Sequence, residues 1–261
     1  MADLRLTREQ EQALIADYRR RLERCEPWSP AIPWQRELQF QAATYELFEA
    51  FPGVLRSDAP VAELRESEHR DSPSGEFRYC VRLHPRGRPL LTWWGRETGT
   101  VIFDADIGIP ALFQARAPGD PTSGPAPAPA ADRWQASPWM SLTPAAFLTL
   151  RPGTRLARGR TVVAGLGLGH QLVEVTRRLQ VKHVTLVERS RELVDWLLPA
   201  LRPRLRKPVE VIIGDAFEVL PRLRADVGLV DIFPSFGEAG PALAALRRRC
   251  PGIKTLWGWG E

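Results

Sequence analysis

The chain has 261 residues, 44% hydrophobic and 26% charged, the proportions of a soluble globular protein with room for one large domain or two modest ones. No apolar run is long enough to cross a bilayer, the charged N-terminus lacks the apolar core of a secretory signal, and Cys25, Cys80 and Cys250 are too few and too scattered for a disulfide framework or a zinc cluster; this fits a cytoplasmic protein with no metal site and no membrane partner. The net charge of +5 permits an anionic partner such as nucleic acid, but the clusters at 202–207 and 247–249 follow helical patterns, where cations are favourable anyway, so a nucleic-acid partner is not the preferred account.

Residues 7–25 carry Leu14, Ile15, Tyr18 and Leu22 on one helical face, with Thr7 as N-cap and Gln10 three residues on. A proline-broken loop with Trp28 and Trp34 follows, and the tryptophans read as packing anchors. A second helix is expected over about 35–51, stopped by Pro52 and Gly53. The period then changes. Phe77, Tyr79 and Val81 alternate with polar neighbours, and with the two later apolar runs as far as residue 104 they predict a small antiparallel meander. His69 and His84 fall near turns and are expected on the surface. Residues 116–133 form a Pro/Ala-rich linker, dividing an N-terminal helical and β region (1–115) from a C-terminal domain (134–261).

The C-terminal domain opens with a short helix capped by Thr143, with Pro144 in its first turn, ending near Pro152 and Gly153. The stretch 161–188 follows, TVVAGLGLGHQLVEVTRRLQVKHVTLVE. An apolar strand runs into Gly165, Gly167 and Gly169. A helix with Leu172, Val175, Thr176 and Leu179 on one stripe comes next, then a second strand ending on Glu188. Glycines allow a tight turn that brings backbone N–H groups close to a ligand at a helix N-terminus, and an acid at the next strand tip can grip ribose hydroxyls. Further along, Ser190 caps a helix with the stripe Leu193, Val194, Leu197, Leu198 and Leu201. Three more strands alternate with helices expected at 217–223 and 238–249. Such alternation predicts an α/β fold, a doubly wound Rossmann-like, mostly parallel sheet of about five strands. Glu188, Asp215 and Asp231 then stand at three consecutive strand tips around the glycine turn.

With GLGLG at 165–169, VTLVE at 184–188, GDAFEVL at 214–220 and DVGLVDIFP at 226–234, residues 161–256 resemble a class I S-adenosylmethionine-dependent methyltransferase domain, and within it the spermidine synthase-like branch. The resemblance implies S-adenosylmethionine as cofactor, its methionine part lined by Gly165, Gly167 and Gly169. It also implies Glu188 on the ribose hydroxyls, Asp215 and the backbone of Ala216 on the adenine, and Asp231 facing the reacting centre. His170 is a weaker candidate for that last role, and a first-turn helix residue is its simpler reading.

There are departures from the family pattern. Leu168 stands where aminopropyltransferases carry an acid in the glycine turn, and Pro234 where they carry a second acid beyond the position of Asp231. Both argue against polyamine chemistry, since a cationic amine needs carboxylates to bind it. Val163 replaces an acid common in methyltransferases, and the sequence stops after strand five without the antiparallel strand pair that completes this sheet in the family. The leading expectation is therefore a methyltransferase. The alternatives are an aminopropyltransferase and a catalytically degenerate nucleoside-binding or scaffold protein. The methyl acceptor, small molecule or macromolecule, is not written in the sequence. An exposed edge at strand five is compatible with a homodimer.

Overall fold

A computed structural model of the chain describes residues 50–94, 97–103, 105–116, 133–135, 137–233 and 239–260. The helix expected over 7–25, nearly all of that over 35–51 and nearly all of the linker over 116–133 lie outside these residues. Seven strands come first: β1 (Arg56–Ser57), β2 (His69–Asp71), β3 (Phe77–His84), β4 (Pro89–Trp94), β5 (Glu97–Ile102), β6 (Ile107–Gln114) and β7 (Met140–Ser141). The C-terminal part then alternates: α1 (Pro144–Leu156), β8 (Gly159–Ala164), α2 (His170–Arg177), β9 (Val181–Glu188), α3 (Arg191–Leu201), β10 (Val209–Ile213), α4 (Ala216–Val219), β11 (Ala225–Val230), α5 (Gly240–Arg249) and β12 (Ile253–Gly258). Among the described residues no helix is long and apolar enough to cross a membrane.

Two compact units divide the chain. Leu83–Ile107 belongs to one, and Leu47–Arg82 with Gly108–Glu261 forms the other. In the first, β4 and β5 pair antiparallel from Pro89↔Ile102 to Trp94↔Glu97. His84 is buried there rather than on the surface, its Nε2 2.8 Å from the Arg88 carbonyl and its ring edge-on to Phe103. A lone histidine near a turn carries no sequence sign of the aromatic partner that covers it.

In the second unit a small sheet runs in the order β1-β3-β6-β7, with β2 also on β3. The expected meander is thus replaced by a separate hairpin and a sheet centred on β3 and β6. Side-chain chemistry explains the central places. Phe77, Tyr79 and Val81 of β3 and Leu112 of β6 enter the main core, while Cys80, Ala111 and Phe113 enter another cluster around Trp134. Strands apolar on both faces are stable only when both faces are covered.

The second sheet is wholly parallel, in the order β10-β9-β8-β11-β12. Val163 of β8 faces the main core; Val162 and Ala164 face the other, under α4 and α5. Strand order reverses between β8 and β11, and ligands of such sheets bind at the strand C-termini beside that reversal.

Local signals hold for several elements. Ser190 Oγ accepts from the Leu193 N–H at 3.1 Å, and all five stripe residues of α3 are buried, each stabilising by about 1.5–3 kcal/mol. Thr143 caps α1 through the Ala146 N–H at 3.3 Å. Two expectations fail. Helix α2 ends at Arg177, and Leu179 is 96% exposed instead of completing the stripe. Helix α1 runs through Pro152 to Leu156, with the Trp257 ring packed so closely on Gly153 that a Cβ there would lie 2.2 Å from it, and with Thr154 Oγ1 donating within the helix to the Leu150 carbonyl. Several cations sit at helix C-termini. Lys207 Nζ donates to the Thr176 and Arg178 carbonyls after α2, and Arg178 to those of Arg155 and Ala157 after α1.

Candidate functional site

The glycine turn leaves β8 at the reversal. Gly165 has φ 96°, and a Cβ there would lie 2.1 Å from the Asp231 carbonyl oxygen. An L side chain is strained at that φ and has no space besides, so the tips of β8 and β11 can meet only through a glycine. The Asp231 N–H donates to the Ala164 carbonyl at 2.9 Å and completes the contact. Gly167 stands beneath Met140, with a Cβ position 2.1 Å from the thioether sulfur. Gly169 is the N-cap of α2.

The three acids fall into different surroundings. Glu188 ends β9 and is 6% exposed. Its Oε2 accepts from the Leu166 N–H of the glycine turn at 2.8 Å, and its Oε1 from the Ser190 N–H at 2.9 Å. One carboxylate therefore ties the turn after β8 to the turn after β9. Asp215 is exposed and caps α4, its Oδ1 accepting from the Phe217 N–H at 2.7 Å. Ala216 is the buried first residue of that helix, so its N–H has no acceptor within it. Asp231, at the tip of β11, is partly buried, and loss of water around the carboxyl pushes its pKa up to about 7.

His170 opens α2 with its ring edge-on to Phe147, the centroids 4.2 Å apart. Burial, with the Arg177 and Arg151 charges behind it, lowers its pKa to about 3. A neutral imidazole with so little basicity suits packing better than proton abstraction.

Sequence reasoning passed over two groups here. The Leu168 N–H, next in the turn, donates to Met140 Sδ at 3.2 Å, and a thioether is a weak acceptor. Gln171, on the first turn of α2, has both amide atoms buried with no hydrogen-bond partner among the described residues. Nothing in the sequence marks either one. Met140 reaches the turn through the pairing of β7 with β6, and a glutamine in a helix usually faces water.

Gly165, Gly167, Gly169, Glu188 and Asp231 thus lie together at the C-terminal tips of β8, β9 and β11, joined by the Leu166–Glu188 and Ala164–Asp231 hydrogen bonds. Asp215 and Ala216 stand at the next tip, after β10, which pairs with β9 as far as Ile213↔Glu188.

No protein-family model and no curated protein matches the chain. Solved structures similar to it include a precorrin-8w decarboxylase from Methanobacterium thermoautotrophicum, at 25% identity over 40% of this chain and 56% of that one, with a TM-score of 0.32. A methyltransferase from Geobacter sulfurreducens matches at 22% identity over 40% of this chain and 53% of that one, with a TM-score of 0.31. A precorrin-6y C5,15-methyltransferase from Geobacter metallireducens matches at 19% over 40% and 56%, with a TM-score of 0.32. The chain spans about half the length of these structures. Fold and site stand on the chain's own geometry.

Proposed function

We propose that the chain is an S-adenosylmethionine-dependent methyltransferase. The observation that carries this reading is the arrangement of strand tips: a glycine turn in backbone contact with the tip of β11 at the strand-order reversal, with Glu188 hydrogen-bonded into it. The residues present fit the cofactor. The Leu168 N–H, now on a thioether, would gain by exchanging it for a carboxylate oxygen. Glu188 has lone pairs beyond the two in use for ribose hydroxyls, while Asp215 and the Ala216 N–H present an acceptor and a donor to the adenine edge.

S-adenosylmethionine, when bound, supplies a methyl group activated by its sulfonium. Transfer then depends on alignment of the methyl group with its acceptor. Asp231, with a pKa near 7, holds or takes the acceptor's proton close to neutral pH. The aminopropyl alternative lacks support at Leu168, which is 1% exposed within the main core and offers a cationic amine nothing. One observation favours the degenerate alternative, namely Met140 seated on the glycine turn.

Calorimetric titration with S-adenosylhomocysteine, with methylthioadenosine, and with the Asp215→Ala variant tests the reading. S-adenosylhomocysteine should bind with a Kd of roughly micromolar order, weakened about tenfold in the variant. Preference for methylthioadenosine would shift the reading to aminopropyl transfer, and binding of neither would refute both.

A further inference from the structure

A cavity of about 480 Å³ lies on the small sheet, away from the glycine turn. Its floor is one side of β6, where Ile109, Ala111 and Phe113 project; Leu112, between them, points the other way into the main core. Trp134 forms a wall, 3% exposed and held by the guanidinium groups of Arg78 and Arg133 at 4.5 and 5.3 Å from its ring centre. The volume is in the range of sites that enclose small organic ligands.

Two charges line this apolar space. Arg82, on β3, donates to the Asp58 and Ala59 carbonyls, which fixes the guanidinium without neutralising it. Arg116 is placed next to Trp134 by its backbone N–H, which donates to the Arg133 carbonyl at 2.8 Å. Among the described residues neither arginine is paired with a carboxylate. Two guanidinium forks beside an apolar cavity, with no carboxylate partner among the described residues, are complementary to an amphipathic anion. We propose that this cavity binds a small carboxylate with an apolar aliphatic or aromatic body, its head on Arg116 and Arg82 and its body against Phe113, Ile109 and Trp134. The site is separate from the nucleoside crevice and does not rest on the methyltransferase reading.

Titration of the full-length protein with decanoate, below its micelle-forming concentration, tests this, with decanol as an uncharged control of the same body. Decanoate should bind at least about tenfold more tightly than decanol, and Arg116→Gln should remove most of that difference. Ala62→Phe, which places a ring on the cavity lining, should weaken both ligands. Circular dichroism and the thermal midpoint of each variant confirm that it is folded, and Arg116→Gln, at a part-exposed residue, is the one least coupled to folding. Equal binding of decanoate and decanol, an unchanged affinity in folded Arg116→Gln, or no decanoate binding at millimolar concentration would each overturn the proposal.

Discussion

Glu188→Gln separates a carboxylate that builds the site from one that merely awaits a ligand. In the structure Oε2 receives the Leu166 N–H at 2.8 Å and Oε1 the Ser190 N–H at 2.9 Å, with the side chain 6% exposed. Glutamine keeps one carbonyl oxygen, and its NH₂ group turns a donor toward whichever N–H is left. A hydrogen bond to a charged group contributes about 1.5–3 kcal/mol, and an N–H stranded out of water costs about 1–3 kcal/mol. The Leu166 side is buried and keeps the oxygen; the Ser190 side is partly exposed and is solvated in part. The net loss is then about 2–4 kcal/mol. Urea unfolding followed by tryptophan fluorescence reads it as a lower midpoint at constant slope. A loss below about 1 kcal/mol would refute the clamp, and would mean that the carboxylate gives little to the two turns.

Gly165→Ala should cost about 2–4 kcal/mol from the positive φ and the Asp231 carbonyl together, and should abolish S-adenosylhomocysteine binding; an unchanged urea midpoint would show that the β8–β11 contact is dispensable. Asp231 has a folded pKa of about 7 against an ordinary 3.8, so between those values the native state holds a proton that the unfolded chain has lost, and stability falls as pH rises through that window. Asp231→Asn should remove this slope and exceed the parent above pH 7 by about 1–3 kcal/mol, read from urea midpoints at pH 4, 6 and 8. Met140→Ala frees the Leu168 N–H and should tighten S-adenosylhomocysteine binding by about three- to tenfold in calorimetry, whereas weaker binding would make Met140 part of the ligand's wall.

The parallel sheet was legible because its strands are short apolar runs that alternate with helices. Ser190 and Thr143 cap where their side-chain chemistry says they should, and Gly165, Glu188 and Asp231 meet because strand tips of a doubly wound sheet share one edge. Readings failed where distant residues decided the outcome. Pro152 and Gly153 look like a helix end until Trp257, over a hundred residues away, packs against the glycine. Leu179 fits the spacing of α2 but follows the helix end, so periodicity alone placed it wrongly. The meander failed because alternation reports which face a residue takes and not which strand lies beside it. Met140 and Gln171 escaped notice since their importance lies in what they touch, or fail to touch, across the fold.

Strand β7 is two residues long, and its pairing Ala111↔Ser141 and Leu112↔Met140 sends neighbouring side chains to opposite sides. Ser141 lines the carboxylate cavity, while Met140 rests on Gly167 and the Leu168 N–H. So short a strand has little ladder of its own to resist displacement. A ligand that displaced it on one side would disturb the contacts made on the other. If both proposed ligands bind, any factor by which decanoate changes S-adenosylhomocysteine affinity must equal the factor by which S-adenosylhomocysteine changes decanoate affinity, and the residue pair 140–141 is the stretch that touches both places.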